Sequence, residues 1–209
     1  MKIVAGRNVA VFISGRGSNL KALLEARDAG ELDVNIGLVV SNRAAAGGLE
    51  HAAAHGVPSA VLSHREFSSR KDYEVRLLEL LGEHEVDVVV LAGFMRILTG
   101  HFLSQFPNRV LNIHPSILPA FPGVDAQAQA LDYGVALSGC TVHFVDEGTD
   151  SGPVIEQAVV PVLPDDDRDS LAKRILAQEH RILPRALSLL VSGRLEVHGR
   201  KVRVLPEGE

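Results

Sequence analysis

Asn112 and His114 stand one residue apart where an apolar run ends, and Pro115 and Pro119 follow at once in LNIHPSILP, residues 111–119. A side-chain amide such as that of Asn112 can donate a hydrogen bond to an oxyanion growing at a carbonyl carbon. An imidazole such as that of His114 can hold or pass a proton near neutral pH. Downstream, the acidic loop DEGTDSGP supplies Asp146, Glu147 and Asp150. A carboxylate such as Asp150, in contact with His114, would favour the imidazolium and raise its pKa. These groups together suit acyl transfer to an amine, in which a tetrahedral oxyanion forms and the nucleophile gives up a proton. No Ser–His or Cys–His pair stands out, so direct attack of one substrate on another is simpler than a covalent enzyme intermediate. Taken alone, the same residues also suit a stiffened turn, with Asp150 before Ser-Gly-Pro as an ordinary turn residue. His143, inside an apolar run, reads as a packed structural histidine. Cys140 nearby reads as a small buried hydrophobe.

The elements that must position these groups follow from the hydrophobic pattern. Continuous β-branched runs at 8–14, 35–40 and 87–91 have strand length and the composition of a sheet covered on both faces. Between them lie helical patterns after residue 18, around 49–55 and over 69–83, with a short strand at 58–62. Strand and helix in alternation predict βαβ units and a parallel sheet. Past Phe94 the pattern loosens: strands are expected at 109–113, 139–145 and 154–162, and a helix at 126–133. A long helical pattern over 170–190 contains Pro184, which should kink or split it. The last segment alternates around His198 and Gly199, as a surface hairpin would. The expectation is one α/β domain over 1–209, Rossmann-like, with a mostly parallel open sheet, helices on both faces and a modified C-terminal half. In an open α/β sheet ligands bind beyond the carboxyl ends of the strands. Asn112 and His114, the stretch Met95–Arg96–Ile97–Leu98 and the acidic loop all fall at such ends.

The first strand is followed at once by SGRGSNL, residues 14–20. Glycines between a strand and a helix free backbone N–H groups to face an anion, and Ser18 and Asn19 can add side-chain donors or cap the helix. Leu20 occupies the place of the third glycine of a dinucleotide fingerprint, and no Gly-Lys-Ser/Thr follows, so a single phosphate fits better than a dinucleotide or a triphosphate. A tight strand-to-helix turn is the alternative.

Composition narrows the classes. With 209 residues, 46% of them hydrophobic, the chain can bury a substantial core. A net charge of −5 with scattered Lys and Arg argues against nucleic acid and anionic membrane as partners. One cysteine excludes an internal disulfide and a cysteine-based zinc site, and no metal is expected. The opening apolar stretch is short for a signal peptide, and no run approaches the ~18–20 apolar residues of a membrane span. The chain reads as a soluble cytoplasmic protein; monomer and homodimer both remain open.

Taken together, SGRGSNL, DVVVLAGFMRIL, LNIHPSILPAFPG, TVHFVDEGTDSGPVI and AQEH resemble the folate-dependent formyltransferases, and within them the phosphoribosylglycinamide (GAR) formyltransferases, from about Val9 to Val197. The resemblance implies the formyltransferase fold, with a phosphate-binding half at about 8–105 and a folate and catalytic half at about 106–198. It implies transfer of a formyl group from 10-formyltetrahydrofolate, as co-substrate, to the amine of glycinamide ribonucleotide in purine synthesis. Gly17, Ser18 and Asn19 would hold the GAR phosphate, and Glu179 its glycinamide end. Arg70, Met95, Arg96, Ile97, Leu98, Asn112, Asp146 and Glu147 would belong to the folate site. His114 would be the general acid, Asn112 the oxyanion donor and Asp150 the carboxylate raising the pKa of His114. Two positions depart from the family pattern: Asp125 stands where a histidine is usual, and Leu176 where some members have glutamine. Asp125 could hydrogen-bond His114 or disturb the proton relay. The rival within the resemblance is a formyltetrahydrofolate deformylase, which hydrolyses the same cofactor; methionyl-tRNA formyltransferase and a non-catalytic nucleotide-binding module are further alternatives.

Overall fold

The apolar runs expected to be buried on both faces form three adjacent interior strands of one nine-stranded sheet in the computed structural model, which describes residues 6–207. The first five and last two residues of the 1–209 span, including the start of the segment weighed as a signal peptide, lie outside the described residues. β1 (Asn8–Ile13) leads to α1 (Ser18–Asp28), β2 (Asn35–Ser41), α2 (Gly48–Ala54), β3 (Ser59–Val61), α3 (Arg70–Glu83) and β4 (Val88–Leu91). A one-turn α4 (Gly100–Leu103), which the pattern did not announce, precedes β5 (Val110–His114) and α5 (Ala126–Tyr133). β6 (Leu137–Phe144), β7 (Val154–Pro161), α6 (Arg168–Val191), β8 (Leu195–His198) and β9 (Lys201–Val204) complete the order.

Because side chains alternate along a strand, β1 feeds two cores at once. Val9, Val11 and Ile13 pack with Leu20, Leu23 and Leu24 of α1 and Ile175, Ile182 and Leu183 of α6. Ala10 and Phe12 face Tyr73, Leu77 and Leu81 of α3 and Phe102 of α4 on the other side. Cys140 lies in the first of these cores, and burial pushes its thiol up to about 12, so it behaves as the inert hydrophobe its context implied.

The strand order is β3-β2-β1-β4-β5-β6-β7-β9-β8. β3 through β5 pair in parallel, and β6 runs antiparallel to both β5 and β7. The order reverses between β1 and β4, and the crevice beyond their carboxyl ends is where ligands sit in such sheets. The antiparallel β5–β6 register sets Asn112 directly across from His143. That pairing brings a second histidine to the rim.

Pro184 does not split α6, one of the two outcomes expected from its missing N–H. Ile182, Leu183, Ala186 and Leu187 around it are fully buried, and their packing holds the helical course through the lost hydrogen bond. The helix starts on a capping box, in which Asp167 accepts from the Ser170 N–H while the Ser170 hydroxyl receives the Asp167 N–H. An unbroken α6 carries Glu179 to the N-terminal end of α1, where the crevice begins.

Candidate active site

Three strand ends are tied together at the crevice by one buried hydroxyl. Ser14, just past β1, donates to Asn42 Oδ1 beyond β2 (2.6 Å) and accepts from the N–H of Met95 beyond β4 (2.9 Å). Gly17 then takes φ 74°, a left-handed turn that glycine makes at little cost, and turns the chain into α1. Its Cα abuts Gly48 at the start of α2, whose N–H donates to the Gly15 carbonyl (3.1 Å). No side chain caps α1, and no acidic residue occupies its first turn. The N–H groups that begin a helix have no intrahelical acceptor, so those of Ser18 and Asn19 are available to an anion.

The Asn19 side chain has a protein partner of its own. Its amide N–H goes to Glu179 Oε2 (2.7 Å), because the α1–α6 packing buries both groups and leaves them only each other. Burial raises the Glu179 carboxyl above the usual carboxylate range, and the Asn19 bond only partly offsets this. One residue thus joins the anion loop, through its backbone, to a buried carboxylate, through its side chain.

At the end of β5 four polar side chains converge. His114, 4% exposed, donates Nε2–H to the Phe121 carbonyl (2.8 Å) and turns Nδ1 to Asp150 Oδ2 (3.3 Å). Asp150 Oδ2 also accepts the Gly123 N–H (2.7 Å). Its Oδ1 lies 3.4 Å from Asn112 Nδ2 and 3.7 Å from His143 Nε2. Asn112 Nδ2 is 3.1 Å from His143 Nε2. Phe121 and Asp150, the two groups that hold His114, have φ 54° and 52°. Side chains other than glycine rarely adopt that region, at a cost of about 1–3 kcal/mol each, and such strain concentrates at functional sites. The loop carrying Phe121 is pinned from β6 and β7. Thr141 Oγ1 donates to the Ser116 carbonyl (2.7 Å) and accepts from the Leu118 N–H (3.1 Å), and Gln157 Nε2 donates to the Leu118 carbonyl (2.9 Å).

Burial lowers the pKa of His114 below the ordinary imidazole value; the Phe121 carbonyl and Asp150 pull upward without overcoming it. Asp150 therefore acts upward, as expected, on a pKa whose net direction burial sets. Burial pushes Asp150 itself upward, but His143 beside it, the Gly123 N–H and His114 carry it below its usual value. An uncharged imidazole beside an ionised carboxylate is ready to accept a proton, and the carboxylate then stabilises the imidazolium.

The stretch after β4 is divided by burial. Met95 and Ile97 are exposed and form an apolar lip, whereas Leu98 folds back into the α3-side core. The Leu98 side chain packs with Phe94 and Phe102, so what Leu98 can offer a folate site is its backbone. Arg96 is half-buried, and its charge is felt by His64 and Tyr73. Arg96 Nε, His64 Nδ1 and the Tyr73 hydroxyl are buried without a hydrogen-bond partner. Burial pushes the Tyr73 hydroxyl up to about 12, so it remains a donor. Arg70 opens α3 and is exposed. Glu74, on the same helix, accepts both the N–H (2.8 Å) and the hydroxyl of Thr99 and so fixes the far end of the stretch.

Asp146 and Glu147 hold the acidic loop in shape. Asp146 Oδ1 accepts from Ser151 Oγ (2.6 Å) and the Gly148 N–H (3.1 Å), and Glu147 lies against Gly100. Asp125 pairs with Arg168 NεH (2.7 Å) at the start of α6 and does not hydrogen-bond His114. Leu176 is half-buried on α6, nearly one turn before Glu179. We expect Asp125→His to leave the midpoints of the pH–rate profile where they are, because the replaced carboxylate belongs to a surface ion pair; a shifted midpoint would put residue 125 in contact with the relay.

The residue that sequence reasoning missed is His143. Its apolar neighbours pointed to packing, and only the strand opposite it reveals its company. The pairing of two short polar-tipped strands, each ending at an acidic or proline-rich loop, was the signal available.

A family model described as formyl transferase matches residues 7–187. The trifunctional purine biosynthetic protein adenosine-3 of Drosophila melanogaster is 51% identical over 189 residues, which are 90% of this chain and 14% of that protein. The chain thus spans about a seventh of that relative's length. The phosphoribosylglycinamide formyltransferase of Escherichia coli is 44% identical over 191 residues, 91% of this chain and 90% of that protein. Among solved structures, glycinamide ribonucleotide transformylase 1 from Symbiobacterium toebii superposes with a TM-score of 0.95 at 49% identity, over 96% of this chain and 95% of that one. A formyltetrahydrofolate deformylase from Pseudomonas syringae stands further off, at 32% identity and a TM-score of 0.89, with 96% of this chain covering 66% of that one.

Proposed function

The chain belongs to the formyl transferase family, and from that premise we propose that it transfers a formyl group from 10-formyltetrahydrofolate to the amine of glycinamide ribonucleotide, giving formyl-GAR and tetrahydrofolate. Formyl transfer to GAR, a step of purine synthesis, is the activity named for the Escherichia coli relative and for the Symbiobacterium toebii structure. The observation that carries the assignment of the site is the convergence of Asn112, His114 and Asp150 at one strand end, across the crevice from an uncapped helix N-terminus.

Residues 8–105 supply the phosphate half. The N–H groups of Ser18 and Asn19 bind the GAR phosphate behind the Gly17 turn, and Glu179 receives the glycinamide end. Residues 106–198 supply the catalytic half and, with Arg70 and the 95–98 stretch, the folate site. Met95 and Ile97 flank the ring system. Arg96, uncompensated beside His64, with Arg43 and Arg65 near enough to act on that histidine, gives a positive field for the carboxylates of the folate tail. Asp146 and Glu147 act by shaping the loop that encloses the pterin.

The amine attacks the formyl carbon, and the carbonyl electrons move to the oxygen, where an Asn112 N–H stabilises them. The amine nitrogen then sheds a proton and N10 of the folate gains one as its bond to the formyl carbon breaks. With its ring proton on Nδ1 against Asp150, neutral His114 takes the first proton at Nε2, Asp150 stabilises the imidazolium, and Nε2 as general acid then gives a proton to N10. For this Nε2 must exchange its bond to the Phe121 carbonyl for one to substrate.

The test is to follow consumption of 10-formyltetrahydrofolate by the purified protein with and without GAR. Consumption only when GAR is present is expected; equal turnover without GAR would identify the deformylase reaction instead. The phosphate site has its own check. In Gly17→Ala a methyl group would meet the Gly48 backbone in a conformation costing an L residue about 1–2 kcal/mol. It should therefore lower the urea midpoint and raise the KM for GAR more than that for the folate. Equal changes in both KM values would remove the phosphate assignment.

A further inference from the structure

His143 was expected to be packing, yet its ring nitrogens have defined and opposite duties. Nδ1 lies 2.9 Å from the Phe144 carbonyl. A carbonyl only accepts, so Nδ1 carries the proton, and in the neutral ring Nε2 is left as an acceptor. Nε2 lies 3.1 Å from the Asn112 side chain directly across the β5–β6 register. Only the NH2 end of that amide can satisfy it; the amide oxygen would face a lone pair. The ring is 2% exposed, so water does not compete for this contact.

We propose that His143 is a positioning residue for the reaction: it fixes the orientation of the Asn112 amide by holding one of its two hydrogens. The second hydrogen then points into the site. Without substrate it lies on a long 3.4 Å contact to Asp150 Oδ1, the weaker of the two bonds and the one released to the formyl oxygen. Asp150 thereby holds the hydrogen in place until the oxyanion forms, and its other oxygen stays on Gly123 and His114. This rests on the oxyanion role of Asn112.

Two substitutions of similar size separate the duties of the ring. His143→Asn places an amide near Nδ1, able to donate to Phe144, with nothing at the Nε2 position. His143→Gln can return an acceptor to the Nε2 position. His143→Asn should lower kcat about tenfold or more with the KM for GAR little changed, and His143→Gln should restore most of it. In an Asn112→Ala background, His143→Asn should cost nothing further, because it acts only through that amide. A full additional loss in that background would overturn the proposal while leaving the role of Asn112 intact. So would equal losses in the Asn and Gln variants accompanied by equal falls in melting temperature, the mark of a structural role. Undiminished activity in Asn112→Ala alone would instead remove the oxyanion assignment, and the positioning role with it.

Discussion

Asn112→Ala is expected to lower kcat by about 10²–10³, the range for loss of one oxyanion donor. The reasoning starts from geometry. Asn112, the central residue of β5, is fixed by pairing on both sides, with β4 in parallel and β6 antiparallel, so its side chain cannot drift from the crevice. Its amide touches His143 and Asp150 and is only half-buried, which leaves it open to a substrate oxygen. The charge it meets exists only while the tetrahedral species exists, so the loss should appear in kcat and kcat/KM alike, with KM nearly unchanged. Steady-state kinetics with both substrates varied checks this. A rise in KM at constant kcat would make Asn112 a binding group.

His114→Ala should cost about 10²–10⁴ in rate, the usual worth of a placed acid–base group. The pH dependence is the sharper readout. Because burial lowers the pKa of His114, kcat/KM should fall toward acid with a midpoint below the ordinary imidazole value of about 6.5. Asp150 acts upward on His114, so Asp150→Asn should move that midpoint to still lower pH in whatever activity remains. Stability moves in the same sense. Between the ordinary value and the lowered one, the unfolded chain binds a proton that the folded chain refuses, so stability is full above that interval and falls as pH drops through it. Asp150, also lowered, adds a loss of the same sign further into acid. Urea midpoints measured across that range, with His114→Asn as reference, report the contribution directly; a wild type whose stability rises on acidification would contradict the burial argument.

What the sequence revealed was what short stretches determine by themselves. The apolar runs of β1, β2 and β4 and the glycine turn before α1 carry their structure in their own residues, since a run of strand length between helical patterns has few other uses. Asn112 and His114 were legible because polar groups at the end of an apolar strand are conspicuous. Other assignments depended on partners distant in the chain. His143 needed the register of β5 against β6. The Asn19 amide needed α6 to bring Glu179 within reach, 160 residues away. Leu98 needed the α3-side core to draw it in, and Pro184 needed a buried helix face to override its own preference. Asp125 was left open because its partner, Arg168, lies at the start of another helix. The upward pull of Asp150 on His114 was legible because a neighbouring carboxylate is visible in sequence; the net lowering was not, because depth of burial is not.

The most direct measurement follows the formyl carbon itself. With 10-formyltetrahydrofolate carrying a ¹³C formyl group, GAR in excess and the wild-type protein, the label should appear on the glycinamide nitrogen, one equivalent for each tetrahydrofolate released, with no labelled formate. Label recovered as formate, with GAR unchanged, would contradict the account.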